Sequence, residues 1–334
     1  MSDRGFTQAA TRHAGLGGAS MKTNDNTRLK PVTSFAGPAL ELDFPAFQVG
    51  VAEYAEGPTG CTVFLFPKGA DTAIDIRGGT LGVVGNHPWN HAICFAGGSF
   101  YGLEAAAGVA AELFAQKAYA TGFRDIARVS GAVIYDFPRK ESVIYPDAAL
   151  GRAAVRSARS GWFPLGRRGA GRSATVGKGL GFDQAEPSGQ GAAFRQIGPT
   201  KIAAFAVVNA IGAVVDRAGK IVRGHLDHKT GIRSHLIDQI GKELGRLALP
   251  QGNTTLTMVI TNQRFDSATL QQIARQVHGS MGRAIQPFHT IYDGDALYGV
   301  TTNEVENRDL SQIAFGVVAA EVVWDAVLSA VGAG

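Results

Sequence analysis

The stretch Pro250-Gln-Gly-Asn-Thr-Thr-Leu-Thr-Met-Val-Ile-Thr261 changes character in its middle. Pro250, Gly252 and Asn253 are turn formers, whereas every residue from Leu256 to Thr261 is β-branched or apolar, so a turn opens directly into a strand. On propensity alone Thr254 and Thr255 are ordinary strand residues. The junction also permits chemistry. A threonine hydroxyl at such a turn-to-strand junction can attack the carbonyl of the residue before it and split the chain. The α-amine released then sits on the same residue as the hydroxyl. With an unperturbed pKa of about 8, it can serve as general base for that hydroxyl near neutral pH. Gly252 and Asn253 are small and turn-prone, as such a strained scissile bond requires.

Working outward from this strand, Asp266 or Ser267 caps a helix running through His278, Leu297 to Thr302 is a further strand, and Leu310 to Val331 a last helix. Upstream, Cys61 to Phe66, Val129 to Phe137 and Ile202 to Val208 read as strands, and Ser99 to Thr121 and Arg233 to Leu247 as helices. Strands apolar throughout are covered on both faces. Alternation of such strands with Ala-rich helices predicts a layered α/β sandwich, helices outside stacked sheets. Residues 1 to about 40 are polar and without period, and read as a flexible leader or an arm onto a neighbouring subunit. Residues 41–334 read as a single catalytic domain.

The 334 residues carry 32 Lys+Arg against 28 Asp+Glu, a formal charge of +4, and 45% hydrophobic side chains. That balance excludes a disordered chain. The basic residues are scattered, and the densest knot, Arg167-Arg168 with Arg172 and Lys178, has no interleaved aromatics, which speaks against nucleic acid. No apolar run is read as approaching the roughly 18 to 20 residues of a membrane helix; the best candidate, Ala203 to Val215, is interrupted by Asn209. The first 20 residues lack a hydrophobic signal core, so a cytoplasmic location away from membranes is expected. Two cysteines, Cys61 and Cys94, build no disulfide framework.

Other candidate chemistry is weaker. Gly169-Ala-Gly-Arg-Ser-Ala-Thr-Val-Gly-Lys178 imitates a phosphate loop, but five residues separate Gly171 from Gly177 where four are needed, and Gly179 stands where a magnesium-binding hydroxyl belongs. A close-packed loop that positions Lys178 is the better reading. His87 and His91, and His225 and His228, have metal-compatible spacings, but no third ligand completes either set. G-x-S-x-G is absent. Asp293-Gly-Asp295 reads as a hairpin turn, or as two carboxylates set beside a nucleophile.

Longer strings then settle on one family. Glu56-Gly-Pro-Thr-Gly60, Asn90-His-Ala-Ile-Cys94, Ser99-Phe-Tyr-Gly-Leu-Glu104, Ala132-Val-Ile-Tyr-Asp-Phe137, Gly189-Gln-Gly-Ala-Ala-Phe194, Asp216-Arg-Ala-Gly219, Gly252-Asn-Thr-Thr255, Ile285-Gln-Pro-Phe-His-Thr290 and Asp293-Gly-Asp295 span about Leu42 to Val331. The chain carrying them resembles the self-processing N-terminal-nucleophile family that includes nylon-oligomer hydrolases (6-aminohexanoate-oligomer endohydrolases), DmpA-type aminopeptidases and β-peptidyl aminopeptidases, and resembles the nylon-oligomer branch most.

The resemblance implies a four-layer αββα sandwich and a tetramer of cleaved protomers. It implies autocleavage between Asn253 and Thr254 into fragments 1–253 and 254–334, with Thr254 as nucleophile. It also implies Lys178 beside the nucleophile, Asn209 as oxyanion holder, Tyr135 lining the substrate site, and Asp293 and Asp295 contacting the threonine. The paired aspartates lean towards endo cleavage of linear oligoamides, with no cofactor or metal. An aminopeptidase or an acyl transferase of the same family, or an uncleaved binding module, are the alternatives.

Overall fold

The computed structural model describes residues 21–80, 82–137, 142–179, 181–240 and 252–332. In chain order the main strands are β1 (Gln48–Tyr54), β2 (Thr59–Ile76), β3 (Trp89–Ala96), β4 (Val129–Val133), β5 (Gln190–Ile197), β6 (Thr200–Asn209), β7 (Thr254–Gln263) and β8 (Ala296–Val305). The main helices are α1 (Glu104–Gln116), α2 (Ala148–Arg156), α3 (Ser267–Ser280) and α4 (Gln312–Gly332).

Hydrogen bonding connects the strands in the order β5-β6-β7-β8-β2-β3-β4, with β1 on the first half of β2. The β7–β8 and β3–β4 pairs are parallel; the others are antiparallel. β2 is shared by two sheets. Its residues from Thr59 to Leu65 pair with β1, and Asp71 to Ile76 pair with β8. Between these halves its register against β3 shifts, around Pro67 and a left-handed Gly69.

There the strand system turns back on itself. In a flat sheet β6 and β2 would be three strand spacings apart, on the order of 14 Å, yet the rings of Phe64 and Phe205 are 5.0 Å apart. Phe47 and Phe163 complete the same inter-sheet core, at 5.8 and 4.8 Å from Phe205.

Period-two alternation accounts for the layers. On β6, Phe205 and Val207 face the inter-sheet core, while Ala204, Ala206 and Val208 join the outer core with α3 and α4. On β2, Phe64 and Phe66 face inward, and Cys61, Val63 and Leu65 pack beneath α1 and α2. Three cores therefore separate four layers, α-β-β-α, as the resemblance implied.

Several boundaries move. The helix expected over Ser99–Thr121 is a 3-10 turn at Ser99–Leu103 followed by α1, and it ends at left-handed Ala118 and Tyr119. The strand expected to reach Phe137 stops at Val133. Asp266 is the cap of α3, accepting the Thr269 N–H at 2.7 Å. The helix expected from Arg233 starts at Leu236 instead, because Arg233 pairs with Leu226 in a short strand; its expected continuation past Ile240 lies outside the described residues, as do Pro250, Gln251 and residues 1–20. Residues from 21 onward lie against the chain's own domain: Val32 pairs with Glu53, and Asn24 donates to the Tyr145 carbonyl at 3.1 Å.

One expectation needs correction. The helix α4 has 21 residues and a mean hydropathy of 1.8, long and apolar enough to cross a membrane by length and composition. Along the sequence, Glu321 and Asp325 interrupt the apolar run. Here it docks on β5: Ser329 bonds both backbone groups of Ala192 at 2.9 and 3.0 Å. A Cβ on Gly191 would stand 2.1 Å from the Ala326 carbonyl, so glycine is what lets helix and sheet approach this closely. Its apolarity is accounted for by the buried row Ala319, Val323, Ala326 and Ala330 against the sheet.

Candidate active site

Strand directions bring the site together. β7 starts at Thr254 between an antiparallel β6 and a parallel β8, so the C-terminal end of β6 and the segment entering β8 both arrive at its head. Asn209, the last residue of β6, is the register partner of Thr254. On the other side Asn253 bridges Asp293 in parallel. Asp293-Gly294 is thus no hairpin turn. It runs beside Asn253 and Thr254, because the neighbouring strands are parallel.

Gly252 adopts φ +83°, and a Cβ there would stand 2.3 Å from the Tyr135 ring. Turn geometry and packing both demand glycine just before the strand.

The Asn253 carbonyl oxygen is gripped twice. The Gly294 N–H donates to it at 2.7 Å, and the buried Thr254 hydroxyl donates at 2.6 Å. Gly294 must also be a glycine. A Cβ would lie 2.0 Å from the Thr80 carbonyl oxygen and 3.0 Å from Thr254 Oγ1.

Lys178 is buried, and its Nζ donates to the backbone oxygen and to Oδ1 of Asn209, each at 3.0 Å. The Asn209 Oδ1 also accepts the Thr175 N–H at 3.1 Å, while Nδ2 donates to the Tyr135 carbonyl at 2.8 Å. One amide hydrogen of Asn209 is thereby committed and a second remains. The glycine stretch upstream of Lys178 is no anion cradle. Its Gly169 N–H already donates to Glu53 Oε1 at 2.7 Å and its Ala170 N–H to Thr62 Oγ1 at 3.1 Å.

Both aspartates are fully buried. Burial pushes Asp293 up from the usual carboxylate range, against hydrogen bonds from Thr290 and the opposing charge of Lys178. Burial likewise pushes Asp295 up to about 6, aided by the negative charge of Asp293 and opposed by His289 and the Thr255 N–H. Asp295 Oδ1 accepts the Thr255 N–H at 2.7 Å, and Oδ2 faces His289 Nδ1 at 2.9 Å.

Beside Thr254 opens a cleft of about 260 Å³, lined by Thr80, Gly82, Ser99, Phe100, Val133, Tyr135 and Gly252. None of these carries a charge. Thr254, Asn209, Lys178, Tyr135, Asp293 and Asp295 therefore meet in one place. The Gly294 N–H and His289 belong to it as well, and sequence reading assigned neither a role. Asp293-Gly-Asp295 and Ile285-Gln-Pro-Phe-His-Thr290 stood out as strings, but a backbone donor and a second-layer histidine have no local signature. The His87 and His91 pair lies elsewhere, with His91 Nδ1 accepting the Arg128 N–H at 3.0 Å; His225 packs against Gly177 and Gly179 on either side of Lys178, and no set of three or more potential metal ligands occurs among the described residues.

The arrangement is suited to acyl transfer at a carbonyl: a hydroxyl beside a carbonyl, a donor on that carbonyl's oxygen, a buried ammonium and two carboxylates.

The sequence model of peptidase family S58 matches residues 42–334. A 6-aminohexanoate-oligomer endohydrolase of Agromyces sp. (strain KY5R) is 47% identical over 320 residues, covering 92% of this chain and 90% of its own. One from Kocuria sp. (strain KY2) is 48% identical over 315 residues, covering 90% and 88%. The solved L-aminopeptidase D-Ala-esterase/amidase of Ochrobactrum anthropi, described as a variant of the Ntn-hydrolase fold, superposes with a TM-score of 0.63 over 89% of this chain and 88% of its own, at 16% identity. That last likeness is one of fold.

Proposed function

The chain belongs to peptidase family S58 and is a hydrolase of amide bonds; from that premise we propose that it activates itself at Asn253–Thr254 and then cleaves linear oligoamides of the 6-aminohexanoate type internally. The observation that carries the reading is the grip on the Asn253 carbonyl, with the Thr254 hydroxyl on one side and the Gly294 N–H on the other.

In self-cleavage, Thr254 Oγ1 bonds to the Asn253 carbonyl carbon and the C–N bond breaks. The hydroxyl proton ends on the nitrogen that becomes the α-amine. The Gly294 N–H holds the oxygen as it gains charge. Water then hydrolyses the ester, leaving an Asn253 carboxylate and a free Thr254.

In turnover the α-amine takes the proton of its own hydroxyl as Oγ1 attacks the substrate carbonyl. The remaining amide hydrogen of Asn209 and the Gly294 N–H serve the oxyanion. Asp293 and Asp295 hold the ammonium that forms, and Lys178 fixes Asn209. The ammonium passes that proton to the departing amine as the substrate C–N bond breaks; water, giving a proton to the α-amine, then hydrolyses the acyl ester to a carboxylic acid and free Thr254.

Endo cleavage is supported by the uncharged lining of the cleft. An aminopeptidase needs a carboxylate to anchor the substrate's terminal ammonium, and the described lining offers none. Capped and free-amine oligomers separate the two readings. An N-acetylated 6-aminohexanoate oligomer is expected to be cleaved within about two-fold of the free oligomer, since a lost ion pair would cost tenfold for every 1.4 kcal/mol. Hydrolysis of the free oligomer alone would replace this reading with an aminopeptidase.

A pH profile tests the aspartates. The ionised form of Asp295 is the one that holds an ammonium, and its pKa lies near 6. Activity should therefore fall as pH is lowered through about 6. A flat profile down to pH 4 would remove Asp295 from the mechanism.

The same reading carries assembly of cleaved protomers as a tetramer and a cytoplasmic location. Self-association is supported by exposed apolar side chains at Phe114, Tyr119, Phe123 and Ile126.

A further inference from the structure

We propose that His289 is a positioning residue for Asp295, and that through this contact it sets the pH range in which the Thr254 centre works. The inference rests on the reading of Thr254 and Asp295 given above.

The geometry is specific. Asp295 Oδ2 faces two groups of the same residue, the His289 backbone N–H at 3.2 Å and Nδ1 at 2.9 Å. The ionised carboxylate only accepts, so Nδ1 is the nitrogen that donates to it. Oδ1 is held from the opposite side by the Thr255 N–H. The carboxylate is thus gripped on both edges, one edge by the strand that carries the nucleophile and the other by His289.

His289 itself is held in an unusual state. Its φ is +58°, a left-handed conformation that a residue with a Cβ keeps only where its surroundings enforce it. Its ring packs against Phe288 and, edge-on, against His278, at centroid distances of 3.9 and 4.4 Å. Nε2 lies 3.4 Å from the His278 carbonyl oxygen.

Other charged groups bear on this pair, and their positions are distinct. Asp293 is the carboxylate next to Asp295 and raises its pKa; Lys178 faces Asp293 from the glycine loop. On the far side of His289, His278 from α3 meets Asp75 at 2.9 Å, and Arg77 meets the same Asp75 oxygen at 2.7 Å. Burial holds His278 down to about 4, so it stays neutral across the working range and serves Asp75 as a neutral donor beside the charged Arg77. His289 is accordingly the side chain that donates to Asp295. Among the surroundings of Asp295, burial and Asp293 disfavour the anion, and the contacts from His289 and Thr255 favour it.

Deleting the ring donor therefore makes the anion harder to form, and the acid limb of activity moves to higher pH. Three variants separate this from a packing role. His289→Gly accepts the positive φ and lacks the ring. His289→Asn also tolerates that φ and keeps an amide donor close to the Nδ1 position. His289→Gln reaches instead towards the Nε2 position, and is the second loss-of-donor variant should the glycine protein fail to fold.

The measurements are kcat/KM against pH on a capped 6-aminohexanoate oligomer, with intact mass of each protein. The glycine or glutamine protein is expected to show its acid midpoint raised by about one pH unit, and the asparagine protein to stay close to wild type. Profiles that superimpose on wild type, or an asparagine protein displaced as far as the glycine one, would overturn the role of His289 while leaving the Thr254 reading intact. A wild-type chain that is neither cleaved nor active would overturn that reading, and this inference with it.

Discussion

Thr254→Ala yields one unbroken chain of 334 residues and loses hydrolysis by at least about 10⁴-fold, the scale on which a covalent nucleophile is missed. Intact-mass analysis under denaturing conditions reads the first effect, and release of amine from an oligoamide reads the second. The substitution deletes one hydroxyl and one methyl at the head of β7. The Asn253 carbonyl it contacted keeps its Gly294 donor, so the fold is expected to survive and the loss to be chemical. Thr254→Ser keeps the hydroxyl and is expected to cleave. In the wild type, a small fragment beginning Thr-Thr-Leu-Thr-Met identifies the bond. A Thr254→Ala protein that is still cleaved and active would remove Thr254 from the mechanism altogether.

Gly294→Ala is the second large effect, and it acts through the backbone. The new methyl would lie 2.0 Å from the Thr80 carbonyl oxygen, deep inside contact distance, and 3.0 Å from Thr254 Oγ1. The segment must move away, taking its N–H off the Asn253 oxygen. Displacing an oxyanion donor, or misplacing the reacting groups by an ångström, costs about 10²- to 10³-fold. Accumulation of uncut chain during expression, and slow appearance of the fragment starting at Thr254 afterwards, is the expected result. Gly282→Ala is the control, because a Cβ at Gly282 meets nothing within 4 Å. Cleavage of Gly294→Ala at the wild-type rate would mean that the N–H takes no part in self-cleavage.

These two expectations differ in how visible their residues are in the chain. Thr254 stands out locally, since turn formers give way to β-branched residues within a few positions and that contrast places it at a strand head. The same local logic located the start of α3 at Asp266 or Ser267, the core of the Cys61–Phe66 strand and the apolar β6. Its errors are of one kind. The last helix does not read as a long apolar run because Glu321 and Asp325 sit within it, and those charges are met by Arg217 and Arg283 only once the chain is folded. Asp293-Gly294 read as a hairpin because Asp-Gly is a turn signal wherever strands are antiparallel, and here β7 and β8 are parallel.

The sequence by itself determined which segments are apolar with period two, where Gly252 breaks into a strand, and that Thr254 stands at that junction; the longer strings it shares with a known family supplied the roles expected of Lys178, Asn209, Tyr135, Asp293 and Asp295. These depend on neighbouring residues or on matching strings, and both can be read along the chain. Only the tertiary structure decided that β7 lies between an antiparallel and a parallel neighbour, and that the Gly294 N–H reaches the Asn253 carbonyl. It alone decided that His289 grips the buried Asp295. The physical reason is that strand order and burial arise from contacts between residues tens to hundreds of positions apart. Dihedral preference and hydrophobic period carry no information about such partners.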